Sequence, residues 1–120
     1  MDEESIVEIT SEDNVAVVAF VAASISGVEA ISAASEKTRG FIAQNNPKRV
    51  IFDFEQVKFF SSQILGLILD IRARIEPYDG EVVISGINPQ LHRVFRITNL
   101  DRIFRFFPDR QTALEAADPE

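Results

Sequence analysis

The stretch Arg49 to Leu69 reads RVIFDFEQVKFFSSQILGLIL, and three kinds of chain behaviour follow one another within it. Arg49 to Phe54 carries the nearly continuous apolar run Val50-Ile51-Phe52, the pattern of a strand buried on both faces. Glu55 to Phe60 reads as a loop. Ser61-Ser62 then opens a strongly apolar helix from about Gln63 to Ile75, which Pro77, Asp79 and Gly80 bring to an end. A buried strand, a loop and a helix in that order make the first half of a parallel crossover unit.

Working outward, the same unit recurs. Upstream, Val28 to Ala43 places Val28, Ile31, Ala34, Thr38, Phe41 and Ile42 at helical spacing, with Ser26 as its cap and Asn45-Asn46-Pro47 as its stop. Before it, Ser5 to Thr10 and Val15 to Val21 read as two strands joined in a hairpin through Glu12-Asp13-Asn14. Downstream, Val82-Val83-Ile84 is a fourth strand closed by Gly86, and Pro89 starts a short helix running to about Arg96. Arg102 to Phe107 is a fifth strand, and Asp109 to Ala117 a last helix. The order is β-β-α-β-α-β-α-β-α. It predicts an α/β domain with a five-stranded mixed, mostly parallel sheet and about four helices mainly on one face. All 120 residues form one domain, with 1–4 and 117–120 expected to fray.

Composition bounds the function. The chain has no cysteine, which excludes disulfides, thiolate metal sites and a cysteine nucleophile. No secretory leader pattern and no apolar run of about twenty residues is present, so a cytoplasmic protein without membrane insertion is expected. The formal net charge of −7 argues against nucleic acid as a partner. Arg93, Arg96, Arg102 and Arg105 gather in the last third, as a solvated face or as part of a protein interface. Glycines at 27, 40, 66, 80 and 86 give neither a nucleotide P-loop nor a dinucleotide fingerprint, and no cofactor is expected. His92, the one histidine, cannot assemble a metal cluster and reads as a packed or surface residue.

Asp53 ends the buried strand where a receiver domain carries its phospho-acceptor. The second strand here ends in Val21-Ala22-Ala23-Ser24, without the acidic metal ligands a receiver needs, so Asp53 is assigned to pinning the following loop. Asp53 and Glu55 share a strand face but lie at its solvated end, which does not favour acid–base work. One of the two serines is expected to cap the helix that follows. Gly66 within that helix costs about 1 kcal/mol relative to alanine, which a close approach to the sheet or to a partner backbone would offset. Some of Ile64, Leu65, Leu67, Ile68 and Leu69 are expected to remain exposed near the helix start as an apolar patch for a partner. Phe104, Phe106 and Phe107 either join the core or seed a dimer.

The stretch Arg49 to Leu69 resembles the core of STAS domains, as found in anti-sigma-factor antagonists. Leu65-Gly66 matches the Leu-Gly of the family's Asp-Ser-Ser/Thr-Gly-Leu-Gly motif. Ser62 then takes the place of the phosphorylated serine, Ser61 that of the aspartate, Gln63 that of the second hydroxyl residue and Ile64 that of the first glycine. Gly80 to Gly86 is similar to the family's fourth strand, Asn88 to Phe95 to its third helix, and Thr98 to Phe104 to the approach to its last strand. The family's acidic residue after the second strand has no counterpart among Val21 to Ile25. The resemblance implies a non-enzymatic anti-sigma-factor antagonist that acts by partner switching in transcription regulation. It binds an anti-sigma factor with serine kinase activity through Ser61, Ser62, Gln63, Ile64, Leu65 and Gly66. Phosphorylation of Ser62, or of Ser61 as second choice, releases it, and a serine phosphatase restores it. A monomer or weak homodimer is expected. The alternative is a STAS scaffold that binds constitutively within a sensory or transport assembly.

Overall fold

The computed structural model describes residues 5–118. Its strands are β1 (Val7–Glu12), β2 (Val15–Phe20), β3 (Ser24–Ile25), β4 (Arg49–Asp53), β5 (Phe59–Phe60), β6 (Glu81–Ser85) and β7 (Arg105–Phe107). Its helices are α1 (Val28–Asn45), α2 (Gln63–Ile75), α3 (Pro89–Ile97) and α4 (Arg110–Glu115). The main sheet runs β1-β2-β4-β6-β7, with β1 antiparallel to β2 and every other pair parallel. Asp13 and Asn14 both take positive φ, the conformation a two-residue hairpin turn requires, and they set the register Glu12 opposite Val15.

The sheet has two unlike faces. Ala16, Val18 and Phe20 of β2, Val50 and Phe52 of β4, and Val82 and Ile84 of β6 join one apolar cluster with α1, α2 and α3. Val15, Val17, Ile51 and Val83 point the other way and meet Ala113 of α4. The expected architecture therefore holds, with three helices on one face and one short helix on the other.

Several local readings are corrected. Ser26 does not cap α1; Gly27 stands at that position, and no side chain bonds the free amides. Val28 lies on the exposed side of α1, whose buried residues are Ile31, Ala34, Thr38 and Ile42. The Thr38 hydroxyl is satisfied by donating to the Ala34 carbonyl at 2.8 Å. Asn46, in the left-handed region, ends the helix as read. The fifth strand is only Arg105–Phe107, because Asn99 turns left-handed and Leu100–Arg102 coil into a 3-10 turn. The expected loop Glu55 to Phe60 contains β5, which pairs with β3 in a separate two-stranded sheet. Phe104 is buried, and Phe106 and Phe107 pack against the two clusters, which resolves them as core. The fraying expected at 1–4 lies outside the described residues, as does that at 119–120. Ala117 and Asp118 are held by side-chain bonds from Arg49 and Arg105.

Candidate functional site

The β3–β5 pair builds the approach to the serines. Lys58 and Phe59 amides donate to the Ala23 carbonyl at 2.8 and 3.1 Å, and the Ser61 amide donates to the Ile25 carbonyl at 2.8 Å. A strand alternates its side chains. Phe60 therefore turns into the core, its ring 5.5 Å from Phe54, while Phe59 turns outward and remains 54% exposed. The chain then enters α2 through Ser61 and Ser62.

Neither serine caps the helix. Ser62 already has helical φ and ψ (−62°, −15°), which aims its side chain away from the free amides, and it makes no cap hydrogen bond. The first turn instead closes tightly, with the Ile64 amide on the Ser61 carbonyl and the Leu65 amide on the Ser62 carbonyl, at 3.1 and 3.0 Å. The two hydroxyls differ sharply. Ser61 Oγ is buried and has no hydrogen-bond partner among the described residues. Ser62 is exposed, as are Gln63 and Gly66 on the same outer side of α2.

The aliphatic residues of α2 do not supply the apolar patch expected of them. Ile64, Leu65, Leu67 and Ile68 are all buried and Leu69 is half-buried against the same cluster, because α2 packs on both the sheet and α1. Exposed apolar area comes instead from Phe59 and from Val28, which is 64% exposed. Val28 and Gln63 line one groove of about 250 Å³ between α1 and α2, floored by Ile31 and Leu67. Beyond it, Asp70 accepts from Arg39 and Arg74 at 3.0 Å each. The sequence signal for Phe59 was the in–out alternation of Phe59-Phe60; Val28 fell on the apolar stripe of α1 and carried no such mark.

Gly66 is open. A Cβ built there meets nothing within 4 Å, so no close approach to the sheet requires glycine. Gly86 is the opposite case. Its φ is +68°, and a Cβ would come within 3.0 Å of Asp53 Oδ1 and 3.1 Å of the Glu55 amide nitrogen.

Asp53 is only 2% exposed and lies apart from the serines on the α4 face of the sheet. It accepts from Ser85 Oγ at 2.9 Å and from Arg110 Nη2 at 2.7 Å. It ties β4 to β6 and α4, whereas the loop after it is held by backbone bonds and by Asn88 Nδ2 donating to the Val57 carbonyl. Glu55 is exposed. His92 stacks edge-on against Phe106 at 4.6 Å, a packing role. Among the described residues no group of three His, Cys, Asp or Glu side chains is placed to hold a metal, and no helix is long and apolar enough to cross a membrane.

An exposed serine at a helix entrance, flanked by an exposed phenylalanine and backed by a five-stranded mixed sheet, invites comparison with known folds. A STAS domain protein from Planctomyces limnophilus superposes with a TM-score of 0.82 at 23% identity, over 93% of this chain and 97% of that one. The anti-sigma factor antagonist SpoIIAA in its unphosphorylated form gives 0.77 at 18% identity, over 89% and 92%. The Bacillus cell fate determinant SpoIIAA in its phosphorylated form gives 0.69 at 18% identity, over 89% and 96%. These likenesses establish the fold. The family model for the STAS domain matches residues 4–113, most of the chain, and the protein therefore belongs to the STAS domain family.

Proposed function

We propose that this protein is an anti-sigma-factor antagonist that regulates transcription by partner switching, with Ser62 as its phosphorylated residue. The observation that carries the reading is the contrast between the two serines. The Ser62 side chain is exposed at the entrance of α2, whereas Ser61 Oγ is buried and closed to a kinase. Phosphorylation would add about −1.5 to −2 charges at neutral pH. The N-terminal end of α2 tolerates negative charge, so the fold survives while the surface around it changes sign and volume. Phe59, Val28, Gln63 and Gly66 form the docking surface, with Ile64 and Leu65 supporting it from beneath. The partner is an anti-sigma factor with serine kinase activity, which brings its own ATP, and a serine phosphatase reverses the mark. The antagonist itself is not an enzyme, needs no cofactor, and works in the cytoplasm as a monomer or weak homodimer.

Gly66 supports the same reading. The fold leaves room for a Cβ there, and helix propensity favours alanine by about 1 kcal/mol. A partner backbone passing close to the helix accounts for glycine where the fold does not.

The test is binding of the native anti-sigma factor to wild type, Ser62→Asp and Gly66→Ala, with phosphosites mapped after incubation with ATP. The expected results are phosphate on Ser62, at least tenfold weaker binding by Ser62→Asp, and a Gly66→Ala protein that unfolds at higher denaturant yet binds more weakly. Phosphate on Ser61, or undiminished binding by Ser62→Asp, would overturn the switch. Retained binding with no phosphate on either serine would select a constitutive STAS scaffold.

A further inference from the structure

The sequence contains nine arginines within a net charge of −7. Six of them are engaged in ion pairs: Arg39, Arg49, Arg72, Arg74, Arg105 and Arg110. The three that make none among the described residues are Arg93, Arg96 and Arg102, and all three are exposed. They are not scattered. Arg93 and Arg96 stand on the outer side of α3, whose inner side buries Leu91 and Phe95. Arg102 lies on the 3-10 turn Leu100–Arg102, which packs against the end of α3. On the same outer side Ile97 is 73% exposed, more than any other large apolar residue of the described chain. The one acidic residue between Pro89 and Phe107 is Asp101, which is half-buried.

In a protein this acidic, exposed guanidinium groups have carboxylates available to them, and six arginines have taken one. The last helical turn gives Arg96 some compensation from the helix dipole. That does not account for Arg93, for Arg102, or for an isoleucine set among cations. The patch shares no residue with the docking surface around Ser62. Asn88 fixes the start of α3 at Val57, on the loop that carries Phe59, and α3 then extends for about 13 Å at the standard rise.

We propose that the outer face of α3 and the turn after it form a second docking surface, for an acidic amphipathic segment of a protein partner. The segment places an apolar side chain on Ile97 and carboxylates on Arg93, Arg96 and Arg102, whose planar guanidinium groups match carboxylates in paired hydrogen bonds. A polyphosphate chain or an anionic bilayer extends far beyond three arginines and meets the repulsion of the acidic remainder. A short peptide segment meets only the patch. Binding here is independent of the phosphate on Ser62.

The probe is a synthetic helical peptide with glutamates on one face and leucines on the other, titrated into the full-length isotope-labelled protein and followed by amide chemical shifts. Saturable shifts confined to residues 93–103 are expected. Affinity should fall on the order of tenfold or more in the double variant Arg93→Glu/Arg96→Glu, and again in Ile97→Ser. All three positions are exposed, and circular dichroism verifies that the variants fold. Ser62→Asp should bind the peptide like wild type, so a failed phospho-switch and a failed second surface give different results. Absence of saturable shifts, shifts centred on Arg39 and Arg74, or unchanged affinity in the double variant would each overturn the proposal. Tighter binding of duplex DNA or phosphatidylglycerol vesicles at the same residues would overturn it too.

Discussion

On one face of the sheet, Phe20 and Phe52 stack with ring centroids 5.9 Å apart, and Phe54, Phe60 and Phe95 extend the apolar cluster under α1, α2 and α3. On the other, α4 has six residues and inserts little more than Ala113 and Leu114. So short a helix is not stable on its own. Arginines hold it instead. Arg49, 3% exposed on β4, donates to the carbonyls of Ala113, Ala116 and Ala117 at 3.0–3.2 Å, and so satisfies the free end of α4. Glu81 on the neighbouring strand bridges Arg49 to Arg105, and Arg110 reaches from α4 to the buried Asp53. The apolar face is held by area removed from water and is insensitive to small errors in direction. The α4 face is held by directed bonds to buried charges, each of which becomes a penalty when its partner is lost.

That comparison breaks most visibly at the two centres. Phe52→Ala should cost about 4 kcal/mol through lost burial and the cavity left behind. Its equilibrium denaturation should remain cooperative, with protection against hydrogen exchange reduced across the whole sheet. Arg49→Met should cost about 3 kcal/mol, since it strips the Ala113 and Ala116 carbonyls of their donor and leaves Glu81 with one cation. Here exchange should accelerate first at residues 110–118, before the sheet responds. Uniform loss of protection in Arg49→Met would show that the two faces are not separable as described.

A smaller effect sharpens the contrast from the solvent side. Burial alone would raise the Asp70 carboxyl, but hydrogen bonds from Arg74 and Arg39, with their charges, outweigh it and hold its pKa below the ordinary 3.8. A carboxyl depressed by folding contributes stability above its unfolded pKa and loses it as pH falls through the folded value. Asp70→Asn should therefore cost no more than about 0.5 kcal/mol at pH 7, for a pair this exposed. Denaturation midpoints of variant and wild type should converge as pH falls below 3.8 and through the folded pKa of Asp70. A gap that persisted in acid would mean that Asp70 acts through packing rather than charge.

Much of the apolar face was legible in advance. The run Val50-Ile51-Phe52, the β-branched second strand and the helical spacing of Ile31, Ala34, Thr38 and Ile42 are periodic signals, and burial follows periodicity when an element packs on one side. The site was legible in part. Ser62 and the helix it precedes were identified, but two neighbouring hydroxyls look alike in a sequence. Only the path of the chain from β5 decides that one is buried and the other exposed. The cap reading failed at both Ser26 and Ser62 for a related reason, because capping depends on one residue's φ and ψ: Gly27 takes the extended cap conformation before α1, and Ser62 is already helical before α2. The α4 face was the least legible. Nothing local couples Arg49 to residues more than sixty positions away.

The amino-acid sequence by itself determined the order and kind of the main elements, the mostly parallel sheet, the hairpin turn at Asp13-Asn14 and the placing of a serine pair before an apolar helix. These depend on interactions within a few residues and on side-chain period, which are written in neighbouring positions. The tertiary structure alone decided which serine is accessible, that Phe59 and Val28 rather than the leucines of α2 face outward, and which three arginines make no ion pair among the described residues. Those depend on where distant segments meet, and burial and ion pairing are properties of that meeting rather than of any stretch of chain.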